Sequence, residues 1–266
     1  MRRIVMLVGA VMLSGCAINQ QQEVQMGQQY SAQIAQQLPL ISDPVVVRYV
    51  NVLGDSLAHL TPRADLDWHF YVVDSREVNA FAVPGGYVYV NRGLIERATS
   101  MDELAGVMAH EITHVVDRHS VKQMQQQQGA NIGITLACVL TSVCNNQAAG
   151  TAINVAGSAV FAKFSRTDET QADDGAIGIV VRAGISPNGL VTMFQKLLQE
   201  RQSHPTAVDA WFATHPLEES RIADVQSRIN KIPQSTLRGL TRDSQNFHTF
   251  KNRLASLPPS PTPRTQ

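Results

Sequence analysis

Neither charge sign dominates this chain. Its 266 residues carry 22 basic and 22 acidic side chains, so no excess points to nucleic acid or to an acidic surface as a partner. Cysteine is scarce, with three residues in all, too few to build a fold on disulfides. A bilayer-spanning apolar run is missing as well. Residues 4–12 are too short for one, and residues 129–164, rich in Ala, Gly, Val and Ile, are interrupted by Thr135, Thr141, Ser142 and residues 145–147 before about 20 apolar residues accumulate. That stretch reads as packed helices.

What is present is Met108-Ala109-His110-Glu111-Ile112-Thr113-His114-Val115, with two histidines four apart and a glutamate directly after the first. Ser100 and Glu103 have capping-box spacing, and Leu104, Val107, Met108, Ile112 and Val115 follow at helical intervals, which predicts a helix over about residues 101–125. On a helix, residues i and i+4 share a face, so His110 and His114 can reach one cation. Neutral imidazoles suit Zn²⁺, one ion per chain, and a catalytic zinc uses three protein ligands and keeps a fourth position for water. Glu111 points about a quarter-turn away and is the natural general base. Two hydrogen-bonded structural histidines on a buried helix would carry the same pattern, so the rest of the chain has to decide.

Met1-Arg2-Arg3, the apolar residues 4–12 and then Leu13-Ser14-Gly15-Cys16 read as an export signal over residues 1–15. The tetrapeptide resembles the bacterial lipoprotein box. That resemblance implies an acylated Cys16, an outer-membrane lipid anchor with Ala17 behind it, and a periplasmic orientation. Cys138 and Cys144 then remain as a candidate disulfide in an oxidising compartment. Six helical residues would hold their Cα atoms about 9 Å apart, so a bond requires the helix to break between them, and two buried free thiols are the alternative. Residues 16–40, Gln-rich with a weak helical pattern in Val24, Met26, Tyr30 and Ile34, read as the lipidated linker and first helix.

Ser42 or Asp43 can cap a core helix carrying Pro44, Val46, Val47, Tyr49, Val50, Leu53 and Leu57. Residues 66–72 alternate large apolar side chains as a half-buried strand does, with His69 on the solvent side. Residues 79–83 and 87–90 read as two strands joined by Pro84-Gly85-Gly86, ahead of a short helix near Asn91. A strand edge beside a metal site can hold any extended peptide through its backbone, although a buried hairpin has the same composition. Leu190, Met193, Phe194, Leu197 and Leu198 form a core stripe. The fold class is α+β: mostly helical, with a small sheet.

A third ligand has to come from outside the motif. Asp117 and Ser120 stand where a metzincin helix needs Gly and His, which excludes that class, and His119, rotated off the ligand face, reads as structural. The segment from Ser165 to Asp174 opens a helix ending at Gly184, with Glu169 and Asp173 four apart. The first carboxylate can bind zinc while the second accepts the outer N–H of a ligand histidine. Ordinary surface acidity is the alternative.

Asn79-Ala80-Phe81-Ala82 with Pro84-Gly85-Gly86, His110-Glu111-x-x-His114, Ser165-Arg166-x-x-Glu169-x-x-Ala172-Asp173 and His215-Pro216 together resemble the M48 family of zinc endopeptidases, over about residues 24–229. The resemblance implies a gluzincin-like fold whose edge strand borders the active site. It implies Glu169 as third ligand, Asp173 as orienter, and Asn79, Ala80, Phe81 and Ala82 as the substrate-binding strand. It further implies small bacterial lipoproteins acting on unfolded or misassembled envelope proteins, with outer-membrane assembly machinery as a partner. A chaperone or assembly factor with latent proteolysis is the competing function. The domains read as 41–232 for the peptidase and 233–266 for a C-terminal helix and Pro-rich tail without a recruiting module. His215 can stabilise the oxyanion as a catalytic group, or occupy the metal's fourth position as a resting latch. Arg221 can support the same charge, although an exposed helix-surface arginine is the plainer reading.

Overall fold

The computed structural model describes residues 18–127 and 163–261. The signal segment, Cys16, the Cys138–Cys144 pair and most of residues 129–164 lie outside the described residues.

A three-stranded sheet runs in the order β1-β3-β2, where β1 is His69–Val73, β2 is Ala80–Val83 and β3 is Tyr87–Asn91. β1 pairs parallel with β3, and β2 pairs antiparallel with it and takes the edge. The two-residue period divides the side chains cleanly. Phe70, Val72, Ala80, Ala82, Val88 and Val90 enter the main helical core, whereas Phe81, Val83, Tyr87 and Tyr89 face a smaller cluster with Tyr30 and Ile34. Gly85 and Gly86 take positive φ (85° and 104°) in the hairpin turn, a conformation open to glycine without strain. β1 begins later than the alternation predicts because Trp68 turns to donate its indole N–H to Arg63 O at 3.0 Å. His69 is half-buried, its ring stacked on Tyr87 at 4.8 Å.

Of the helices before the sheet, α1 is Gln20–Gln37 and α2 is Pro44–Ala58. Asp43 accepts from Val45 and Val46 N–H at the start of α2, whose Val46, Val50, Leu53 and Leu57 are buried. After the sheet come α3, Arg92–Arg97, and α4, Met101–Val116, in which every residue from Asp102 to Val115 is buried. A helix buried on all sides lies at the centre of the domain, and its polar residues there need partners. α5, His119–Gln127, follows. Past the undescribed stretch come α6 (Arg166–Arg182), α7 (Asn188–Ser203), α8 (Pro205–Thr214), α9 (Glu219–Asn230), α10 (Gln234–Leu237) and α11 (Gln245–Ser256). α4 packs on α6, α7, α2 and β2. Phe247, Phe250 and Leu254 of α11 join the main core, and buried Arg92 donates to Leu254 O and Pro258 O.

Two expectations need correcting. Ser100 caps nothing with its side chain, which instead bonds to Asp102, and Glu103 accepts from Thr99 N–H at 2.7 Å while pairing with Lys196. The central helix stops at Val116 rather than near residue 125, because Arg118 adopts φ 57° and the chain restarts as α5. A left-handed non-glycine residue costs about 1 kcal/mol or more, and here two contacts hold it: Arg118 Nε donates to Glu23 Oε2 at 2.7 Å and its Nη2 to Ile18 O at 2.5 Å.

The first helix, α1, packs against the body through buried Tyr30 and Ile34. Asn19 and Gln22 form its capping box, and Glu23, with no exposed side-chain area, also accepts from Arg63 at 2.7 Å. One carboxylate thus ties α1 to the loop before β1 and to the end of α4. Removing one member of a buried ion network leaves uncompensated charge, so Glu23→Ala is expected to cost about 3 kcal/mol, at the low end of the usual range because Arg118 stays one-third exposed. Denaturant unfolding of the purified chain checks this, and a loss below about 1 kcal/mol would show that the network adds little.

Candidate metal centre

The site is assembled where α4 and α6 cross. Glycine makes the approach close: a Cβ on Gly175 would lie 2.3 Å from Thr113 Cγ2. Ser165 and Asp168 form the capping box that starts α6 and sets its phase, placing Glu169 and Asp173 on the face turned to α4. His215 enters from the end of α8, with its ring stacked on Trp211 at 4.6 Å.

Four donor groups converge there, His110, His114, Glu169 and His215, with one ligand atom from each lying within 4.8 Å of the others. His114 Nε2 is 3.1 Å from His110 Nε2 and 3.5 Å from Glu169 Oε1. His215 Nδ1 is 3.0 Å from Glu169 Oε1 and 3.4 Å from His110 Nε2. None of the four is more than 3% exposed. Glu111 lies alongside, with one oxygen 3.5 Å from His215 Nε2 and neither oxygen in a hydrogen bond among the described residues. A buried carboxylate without a donor among the described residues is open to a further partner.

The protein's own electrostatics prepare this donor set for a cation. Burial pushes the His114 imidazole well below its ordinary value, so its lone pair stays free. Burial would raise Glu169, but the charges and hydrogen bonds of His215, His114 and Arg221 outweigh it and hold the carboxyl well below the usual range. Burial raises Glu111. His215 is opposed by burial, yet the carboxylates of Glu169 and Glu111 raise it. Two imidazoles and a carboxylate, with a third imidazole at hand, form a nitrogen and oxygen set that fits a divalent metal ion.

Around the donors lies a support layer that the sequence exposed only in part. Asp173 Oδ1 stands 3.0 Å from His110 Nδ1, though not in line for a straight hydrogen bond. Arg221 is not an exposed helix arginine. Its side chain is only 11% exposed, donates to both oxygens of Asp173 at 2.7 Å, and pairs with Glu169. The signal was its spacing: Leu217, Arg221, Val225 and Ile229 stand four apart, so Arg221 sits on the buried stripe of α9. Phe164 stacks on His114 at 3.9 Å, and no sequence pattern marked it. Trp211 packs fully buried against His215, whereas Phe212 lies under Arg201. On the far side β2 forms the sheet edge against α4, with Asn79, Ala80, Phe81 and Ala82 all buried. A small cavity lies between Ala82, Val83, Pro84 and His114.

A model of the family described as peptidase family M48 matches residues 46–229, a span containing every donor and Arg221. The chain belongs to peptidase family M48. Among its M48 relatives, the beta-barrel assembly-enhancing protease of Escherichia coli O157:H7 is 33% identical over 253 residues, which are 92% of this chain and 50% of that one. The mitochondrial metalloendopeptidase OMA1 of Schizosaccharomyces pombe is 27% identical over 195 residues, covering 73% of this chain and 56% of its own length. Metalloprotease LoiP of Escherichia coli K12 is 29% identical over 162 residues, covering 61% and 63%. The chain spans about half the length of the assembly-enhancing proteases it matches. Helix α1 and helix α11 fall outside the matched span, yet both contribute buried side chains to the folded body.

Proposed function

We propose that this M48 chain is a zinc endopeptidase acting on unfolded or misassembled proteins of the bacterial envelope. His110, His114 and Glu169 hold the metal in this reading, and Glu111 is the general base. The observation that carries it is the buried convergence of two imidazoles and a carboxylate beside a second buried carboxylate that makes no hydrogen bond among the described residues. A pure binding module has no need of a base in that position. Bound zinc supplies a Lewis acid that polarises the scissile carbonyl and acidifies the attacking water.

The remaining chemistry falls to the chain's own side chains. Glu111 takes the proton of the attacking water and passes it to the leaving nitrogen. Asp173 fixes His110 through Nδ1, and Arg221 keeps Asp173 and Glu169 ionised and in place. The β2 edge, Asn79 to Ala82, pairs with an extended peptide whatever its side chains. The lipoprotein-type sequence at Cys16 supports a lipid anchor on the periplasmic side of the outer membrane, where Cys138 and Cys144 can oxidise to a disulfide. Residues 41–232 make up the peptidase unit in this reading.

Several relatives are named for enhancing β-barrel assembly, which favours a second role as an assembly factor working with outer-membrane machinery, with proteolysis held in reserve. Comparing the envelope proteins of cells that carry the native chain or its Glu111→Gln form separates the two. Accumulation of specific proteins in the variant supports the peptidase, and identical populations with intact assembly support the other role.

His215 gives a further handle. His215→Ala is expected to keep zinc and fold but lower kcat about 10²–10³-fold with little change in KM, as loss of an oxyanion donor does. Steady-state kinetics with a casein substrate checks this. A rise in kcat would instead make His215 a latch on the fourth position, which its 3.4 Å approach to His110 Nε2 allows.

A further inference from the structure

We propose that His119 and Gln171 form a hydrogen-bond relay that fixes the tautomer and orientation of His114, so that its Nε2 is presented to a metal ion. The inference rests on His114 being a ligand, as argued above. His119 stands five residues beyond His114, about 140° round a continuous helix and so unable to meet it on one face. The left-handed turn at Arg118 removes that obstacle. The chain folds back, and His119, fully buried, places its Nδ1 2.9 Å from His114 Nδ1.

Two facing ring nitrogens at that distance need one proton between them, and the surroundings decide whose it is. His114 Nε2 points at His110 Nε2 and Glu169, where a metal needs a lone pair, so the His114 proton sits on Nδ1. His119 Nδ1 must then accept, which leaves the His119 proton on Nε2. On that side are acceptors: Gln171 Oε1 at 3.0 Å, with the Asp168 and Asp117 carboxylates at 3.7 and 3.9 Å. Every group is satisfied in this one direction, from His114 to His119 to Gln171. Gln171 lies on α6 between Glu169 and Asp173, so the helix that supplies the carboxylate donor also ends the relay. Each ligand histidine of α4 thus faces a group tied to α6 at its outer nitrogen, His110 the Asp173 carboxylate at 3.0 Å and His114 the His119 ring. Phe164 fixes the His114 ring face. His119 touches no reacting atom, so its role is positioning.

Zinc affinity, measured by competition with a chromophoric chelator, tests the relay apart from activity. His119→Asn keeps an acceptor near the position of Nδ1, and His119→Phe fills the space without one. The Phe variant is expected to lose about 10–100-fold in affinity, and the Asn variant to stay within about threefold of the native chain. Equal affinities in all three, or equal losses in both variants, would overturn the relay in favour of simple packing. If His119→Phe fails to fold, Gln171→Leu at an exposed position on α6 takes its place. It should weaken zinc about threefold or more, and unchanged affinity would overturn the relay. His114→Ala separates the two layers of argument: undiminished zinc binding there refutes His114 as a ligand, and the relay with it.

Discussion

Glu111→Gln is expected to leave the chain with a full complement of zinc and to slow peptide hydrolysis by about 10³-fold or more. The substitution keeps the side chain's shape, and neither carboxylate oxygen makes a hydrogen bond among the described residues, so none of those contacts is lost. His215 Nε2, 3.5 Å away, can still meet the amide oxygen. What disappears is the capacity to take a proton from the attacking water. General-base catalysis contributes about 10²–10⁴-fold, and the upper half applies where the base is pre-positioned in a site sealed from solvent, as a side chain 1% exposed is. Metal analysis after dialysis and kcat/KM on an unfolded protein substrate measure the two halves separately. Normal cleavage would remove Glu111 from the mechanism, and loss of zinc would make it a ligand.

The parts of the site that could be read in the sequence are those whose partners are close in the chain or repeat with a helical period. His110 and His114 share a face by spacing alone, and Leu190, Met193, Phe194 and Leu197 pack as their period implies. The hairpin announced itself through Pro84-Gly85-Gly86. What stayed hidden depends on distant partners. Val121 and Met124 continue the apolar rhythm of α4, so nothing local marks the break at Arg118; Glu23, 95 residues earlier, is what stabilises it. The glutamine-rich composition of α1 masks its buried carboxylate for the same reason. Arg221 looked exposed because most helix arginines are, and only the acidic pair on α6 makes its burial affordable.

Glu169→Ala is expected to strip the chain of zinc on dialysis, with affinity falling about 10²–10³-fold. Structural zinc held by the four protein ligands of a finger peptide has an apparent binding free energy of about 10–16 kcal/mol, so one ligand's share is about 2.5–4 kcal/mol. Charge strengthens the case. Glu169 is the only carboxylate among the four convergent groups, and it also pairs with Arg221. Without it the buried Arg221 beside the site would keep only Asp173 as a carboxylate partner among the described residues. The double variant Glu169→Ala/Arg221→Met removes that nearby positive charge, which Asp173 alone offsets, and should therefore bind zinc more tightly than Glu169→Ala alone. A double variant no better than the single would mean that Glu169 acts purely as a donor. Full zinc retention in Glu169→Ala would instead move the third ligand to His215, whose Nδ1 is already 3.4 Å from His110 Nε2. His215→Ala would then have to release the metal, rather than retain it as the oxyanion role requires.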